Sequence, residues 1–456
     1  MQKKISLFSL VLLIVAAIDS IRNLPSTAIF GSSLIFFFLL SAIFFLVPIS
    51  LIAAEFSSRF PEQGGVFYWV KHALGEKAAV VAVWLQWINT MVWYPTILSF
   101  IAGTLAYLFD PMLAQQKWFI VSVVLIVFGG LTLMNLKGIH LSTRINSFCA
   151  LVGLFIPMGL LISLGLVWFF MGKTLQIEFT KETIFPTLTG SENWTSLIAI
   201  MASFVGMELA GVHVADIANP QKNFPKAIGW SVLILLCTMI FGALSIAALI
   251  PKEEIRLVDG MMQTFAQFLH LFHMSWLVPI LSILIVMGSI GGMINWLVSP
   301  AKGLLQAAEH GFLPSFFAKK NAHHVPVRLL IIQTIVVSLV CFVILFMPSI
   351  NAFYWFLTAL STGIYMAMYI LLFIAALKLG RPKEAFSYRI PKGFRRLICM
   401  LGLLGCAITM VVGSFPPPTL AMDVLSYAML FVISIVGLIS PAFLLCYYKK
   451  RKKNQS

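Results

Sequence analysis

Along the chain, apolar side chains come in long unbroken runs, separated by short polar stretches that hold most of the charge. Each run is close to the roughly 20 residues that a helix needs to cross a bilayer. The pattern predicts twelve spans, at 5–29, 32–56, 78–108, 118–136, 145–171, 193–216, 227–250, 275–300, 328–347, 352–379, 395–415 and 423–447. The runs do not alternate apolar and polar positions, as an outer-membrane barrel would. Two shorter stretches have mixed faces. Residues 66–74 follow Gly64-Gly65 and set aromatics beside Lys71 and His72. Residues 261–273 oppose Phe265, Phe268 and Leu269 to Gln263, Gln267 and His270. Both are predicted as helices lying along the membrane surface.

Composition sharpens this picture. Of 456 residues, 60% are apolar and 10% charged. Soluble domains run at about 45–50% and about 25%, so a soluble globule is excluded, and disorder needs the opposite balance. A net charge of +15 invites a nucleic-acid reading. The placement of that charge points to a lipid bilayer as the partner, with no nucleic acid. Of the 31 Lys and Arg residues, 25 fall on the side of the N-terminus, five on the other, and Arg22 inside the first run. The positive-inside rule then puts both termini in the cytoplasm and requires an even number of spans. The first run lacks a small-residue cleavage site and is read as a span, not a signal peptide. The six cysteines (Cys149, Cys237, Cys341, Cys399, Cys406 and Cys446) show no metal-like pairing, and no cofactor is implied. The domain reading is a core over 1–392, two further spans over 393–448 and a short basic cytoplasmic tail over 449–456, whose Lys449–Lys453 stretch suits anionic lipid heads.

Three ionisable residues inside the spans carry most of the chemistry: Asp19 and Arg22 in the first, Glu208 in the sixth. Such residues cost about 2.5–3.5 kcal/mol each at the bilayer centre, so each is a functional candidate. Both stretches disfavour a continuous helix. Pro25 follows Arg22 and breaks the ladder, and Gly206 and Gly211 flank Glu208. The two spans are five apart and therefore cross in opposite directions. Interrupted helices at matching places in two halves of opposite topology point to a secondary transporter. Free N–H ends attract a carboxylate and free C=O ends a cation, and an amino acid has both groups. No residue-level repeat joins spans 1–5 to spans 6–10. Arg22 is expected to pair with Asp19 or Glu208 when the site is empty and to clasp the substrate carboxylate when it is filled. A purely structural bridge is the competing reading.

A resemblance then enters on particular residues: Ala53-Ala54-Glu55 with Gly64-Gly65-Val66-Phe67 and Trp69-Val70; Gly206-Met207-Glu208 with His213-Val214, Asn219-Pro220 and Phe224-Pro225; Met261-Met262-Gln263-Thr264-Phe265; Trp296-Leu297-Val298 with Pro300; Val325-Pro326-Val327; and Tyr365 with Tyr369. In this order the chain resembles the glutamate/GABA antiporter family of the amino acid–polyamine–organocation superfamily. The resemblance implies an all-α polytopic membrane protein with twelve transmembrane helices. Its fold would be leucine-transporter-like: a 5+5 inverted repeat with helices 1 and 6 broken, plus two extra C-terminal helices. It also implies exchange of amino acids or their decarboxylated amines across a bacterial inner membrane. The chain departs from the acid-resistance members in three places. Arg22, Asn23 and Leu24 stand where those carry aromatics, and Gly291-Gly292 where they carry an acid. The chain stops at Ser456, where they continue into a plug.

The candidate substrate-binding residues are Ser20, Arg22, Asn23, Gly206, Glu208, Trp296, Tyr365 and Tyr369, with Asp19 and Glu208 as proton or charge-coupling groups. Tyr365 and Tyr369 share a helix face, which fits a pocket lining or plain packing. Trp296, after Gly288, Gly291 and Gly292, fits a pocket wall or packing. Glu55 is expected to pair with a loop Arg or Lys. His213 and Asp216 fit a gate or a solvated helix end, and His310, His323 and His324 lie in a cytoplasmic loop. An intramembrane enzyme is disfavoured, because neither an H-E-x-x-H motif nor a G-x-S-x-G elbow occurs. A channel would show rings of filter residues, and a sensor an added domain. Antiport and proton-coupled symport both remain open at this level.

Overall fold

A computed structural model describes residues 6–60, 65–138, 148–149, 151–186, 194–208, 220–309, 311–312, 314–323, 325–379, 388–416 and 422–453. All regular structure among them is helical. The chain opens with α1 (Leu7–Ile18), α2 (Leu24–Ala28) and α3 (Gly31–Arg59). It continues through α4 (Val66–Leu74), α5 (Glu76–Ala106), α6 (Lys117–Leu136), α7 (Leu151–Phe170) and α8 (Ser196–Ser203). Next come α9 (Pro220–Leu249), α10 (Gly260–Leu271), α11 (Leu277–Glu309) and α12 (Val327–Phe342). The last are α13 (Ile350–Leu379), α14 (Lys392–Val412) and α15 (Val424–Lys453).

Eight helices among the described residues are long and apolar enough to cross a membrane, and α1 with α2 forms a further pair bent by 41°. The runs at 78–108 and 275–300 fall on α5 and α11. The two surface stretches form α4 and α10, as their mixed faces predict. The apolar face of α10 is buried, and Gln263 on its other side bonds the preceding segment. One boundary differs from expectation. The basic stretch read as a tail continues the last helix through Lys453. No Gly or Pro stops it there, and cations suit a helix C-terminus.

The helix α5 lies at the centre, packed against α13, α11, α4, α6 and α15. Its polar side chains tie it to these neighbours. Tyr94 donates to the Trp296 carbonyl at 2.7 Å, Ser361 donates to Asn89 Oδ1 at 2.6 Å, and Trp84 donates to the Leu438 carbonyl at 2.8 Å. In hydrocarbon such bonds act where apolar burial between helices does not. The other binding device is small residues. A Cβ on Gly153 would come within 2.3 Å of the Gly288 Cα, so the start of α7 and the middle of α11 meet backbone to backbone.

Polar clusters close both ends of the bundle. Where α5 begins, the Arg395 Nε lies 2.8 Å from Glu55 Oε1, and the Ile390 N–H donates to Glu55 Oε2 at 3.1 Å. The Glu55 partner is thus in the first turn of α14, beyond the loop where the sequence placed it. Where α5 ends, the buried Asp259 accepts from Tyr107 at 3.0 Å and Gln115 at 3.2 Å, and lies 3.1 Å from Arg256.

Candidate functional site

The first break begins earlier than Pro25 suggests. The α1 ladder ends with the Asp19 N–H donating to the Val15 carbonyl at 2.8 Å. Asp19 (ψ 131°) and Ser20 (φ −146°, ψ 106°) are extended, and a single 3-10 turn over Ile21–Asn23 leads into α2. Pro25 sits in the first turn of α2. A missing N–H costs nothing there, and the fixed φ favours the helix. Pro25 therefore restarts the helix, and the break belongs to Asp19 and Ser20.

The second break follows α8. The backbone turns through Gly206 at φ 101°, a region that glycine enters without penalty. A Cβ there would also meet the Trp296 ring at 3.2 Å. Two residues on, the buried Glu208 carboxylate accepts from Tyr365 Oη at 2.7 Å and from Tyr369 Oη. Tyr369 Oη in turn accepts the Gly206 N–H at 2.9 Å, so one hydroxyl serves both the acid and the freed backbone. The Gln86 side chain reaches Tyr365 Oη at 3.5 Å. The four-residue spacing of the tyrosines on α13 brings both hydroxyls to one carboxylate.

Arg22 is buried but pairs with neither expected acid. Its Nη1 donates to Thr96 Oγ1 at 2.7 Å, its guanidinium lies 5.1 Å from the Trp93 ring centre, and its Nε has no partner. Its carbonyl accepts from Tyr354 at 3.3 Å. The expected Arg22–Asp19 or Arg22–Glu208 bridge is therefore absent. The cause is local backbone. The three-residue spacing puts 19 and 22 on one face only of a continuous helix, and here the helix stops between them. Arg22 turns to α5, while Asp19 lies beside Thr238 of α9. Glu208 already has its donors.

Trp296 stacks obliquely on Trp93, ring centres 5.4 Å apart. Arg22, Trp93, Trp296 and Gly206 thus form a continuous path between the two breaks. Gly288 and Gly291 act elsewhere, against Gly153 and Cys149. Asn23 is buried, with its carbonyl taking the Ser26 hydroxyl at 2.8 Å, and Ser20 is half-buried. His213, Asp216, His310 and His324 lie outside the described residues. His323 packs over Gly138. Among the described residues no group of three or more His, Cys, Asp or Glu could hold a metal.

Four site neighbours escaped the sequence reading: Gln86, Trp93, Thr96 and Tyr354. A signal existed for three of them. Gln86, Asn89, Trp93 and Thr96 are spaced three, four and three apart, one polar-edged face in an otherwise apolar run.

Comparison with known proteins agrees with this arrangement. The model of the amino acid permease family matches residues 5–439. An uncharacterized transporter of Legionella pneumophila is 34% identical over 100% of this chain and 98% of its own length. A glutamate/gamma-aminobutyrate antiporter of Lactococcus lactis is 30% identical over 95% of this chain and 88% of its own. A probable agmatine/putrescine antiporter of the same species is 21% identical over 91% and 89%. With two interrupted apolar helices, an acid and an arginine buried at the breaks, and a family match over nearly its whole length, the chain belongs to the amino acid permease family, a family of multi-pass membrane transporters.

Proposed function

We propose that the protein is a secondary active transporter that moves amino acids across a bacterial inner membrane by alternating access, as an antiporter exchanging one amino acid for another or for a decarboxylated amine. The reading takes the chain as twelve spans in a leucine-transporter-like 5+5 inverted repeat, with both termini cytoplasmic. The core then runs over 1–392 and two added spans over 393–448. In support, each run predicted from the sequence carries a helix, the sixth in part. Cargo would bind between the two breaks, at Ser20, Arg22, Asn23, Gly206, Glu208, Trp296, Tyr365 and Tyr369, with Thr96 and Trp93 orienting Arg22. Asp19 and Glu208 would be the charge-coupling groups.

One observation carries the reading. Arg22 is a buried cation with no anionic partner among the described residues, held by one hydroxyl and one aromatic face. A buried charge in that state is costly until an anion joins it. The substrate carboxylate would be that anion, taken by a guanidinium already positioned. The antiporters among the relatives support exchange as the mode.

Uptake into proteoliposomes tests the mode. Radiolabelled amino acids should accumulate only in vesicles preloaded with an unlabelled amino acid or amine. Uptake into empty vesicles driven by an imposed pH gradient would instead mean proton symport. Arg22→Lys keeps the charge and loses the fork. It should raise the apparent KM about tenfold or more in a protein of near wild-type Tm. Equal wild-type affinity for an amino acid and its decarboxylated amine would refute the carboxylate clasp.

A further inference from the structure

Four acids are buried among the described residues: Asp19, Glu55, Glu208 and Asp259. Three are served. Glu55 has Arg395 and the Ile390 N–H, Glu208 has two tyrosine hydroxyls, and Asp259 has Tyr107, Gln115 and Arg256. Asp19 is different. It is 94% buried, and neither carboxylate oxygen has a hydrogen-bond partner.

The surroundings of Asp19 are oxygen-rich and short of donors. Thr238 stands beside it but makes no well-formed hydrogen bond to it. The Thr238 hydroxyl hydrogen is engaged by its own helix, through the Ile234 carbonyl at 3.0 Å or the Leu235 carbonyl at 3.2 Å. Toward Asp19 the hydroxyl therefore presents lone pairs. Asp19 also caps the end of α1, where extended backbone stops the ladder and leaves the last carbonyls without intrahelical takers. That end carries the negative pole of the helix dipole. Arg22, the nearest cation in sequence, is committed to α5. A carboxylate, a hydroxyl oxygen and a helix C-terminus thus face one another with nothing positive between them. One acid among neutral oxygens suits a single charge. Divalent sites gather several acids, and broken-helix C-termini are where transporters hold Na⁺ or H⁺.

We propose that Asp19, the Thr238 hydroxyl and the carbonyl end of α1 hold a small alkali cation of the sodium class, at a site separate from Glu208, Tyr365 and Tyr369. The coupling of this ion to cargo movement rests on the transporter reading above; its binding does not. A proton on Asp19 would satisfy one oxygen and leave the other, with the helix end, unserved.

The test is a melting curve of the purified full-length protein in detergent, followed by tryptophan fluorescence at fixed pH. NaCl, LiCl and KCl are each titrated against choline chloride at constant ionic strength. Wild type should show a saturable rise in Tm of several degrees with Na⁺, absent in choline. Asp19→Asn should abolish it, and Thr238→Val should raise the half-saturating Na⁺ concentration about tenfold. The proposal is overturned if wild type shows no alkali-specific rise, or if lower pH in choline raises the Tm while Na⁺ does not. It is equally overturned if the rise survives in Asp19→Asn. Should that variant fail to fold, an unchanged half-saturation in Thr238→Val is the overturning result. Stabilisation by amino acids, measured in choline on the same wild-type sample, reports on the transporter reading alone, so the two can fail separately.

Discussion

Replacing Tyr369 by Phe removes one oxygen that has two jobs. Glu208 loses a donor and the Gly206 N–H loses its acceptor, both in a buried place. Tyr365→Phe takes a donor from Glu208 and touches the backbone of the break not at all. Each buried polar group left alone costs about 1–3 kcal/mol. Tyr369→Phe should therefore lower the Tm more than Tyr365→Phe, and should reduce uptake even in protein selected for correct insertion. Equal effects would mean that the Gly206 bond contributes nothing. At this scale the sequence spoke clearly wherever a full charge stood in an apolar run, as at Asp19, Arg22 and Glu208. It spoke faintly at Thr96 and Tyr354. Neutral polar side chains cost little in a span and can satisfy themselves locally, as Thr96 does by donating to the Trp93 carbonyl at 2.7 Å.

Among whole elements, the sharpest test is the crossing of α7 and α11. A methyl at Gly153 would meet Gly288 backbone, which has no flexible side chain to give way. Gly153→Ala should destabilise by about 1–3 kcal/mol or more, the range for overpacking a tight contact. Gly129→Ala on α6 is the control. Nothing lies within 4 Å of the added methyl, so its Tm should stay within about a degree or two of wild type or rise slightly. Loss of a monodisperse peak on size exclusion for the first variant and not the second is the expected readout. The spans themselves were legible because hydrocarbon thickness imposes a length that the sequence must meet. The place of the first break was not. Proline marks a discontinuity without saying on which side of it the chain bends, and here the helix resumes at Pro25 after turning at Asp19 and Ser20. The π-helical stretches at Ala42–Leu46 and Leu151–Phe155 left no readable mark, since one extra residue in a turn changes no apolar run.

For the molecule as a whole, the polar clusters sit at the two ends and the unpaired charges in the middle. Burial pushes the Asp259 carboxyl above the ordinary acid range, against the opposing pull of Arg256 and Tyr107. Asp259→Ala would strand a tyrosine, an amide and a guanidinium together. Losing a buried pair costs about 3–5 kcal/mol. Arg256 is 24% exposed, so water offsets part of this and roughly 2–4 kcal/mol is expected. The Tm should fall accordingly, and a cysteine-specific dye should reach a cysteine placed at Val258, now buried against Gly103, faster than in the parent. Unchanged labelling would mean that this end is held by apolar packing alone. The meeting of Gly153 with Gly288 has a mechanical meaning besides its thermodynamic one. Helices that interlock through side-chain ridges must unmesh before they can turn against each other. Two bare backbones in contact have no teeth, so α7 and α11 can swivel about that point while their separation stays fixed, as a shaft turns in a plain bearing.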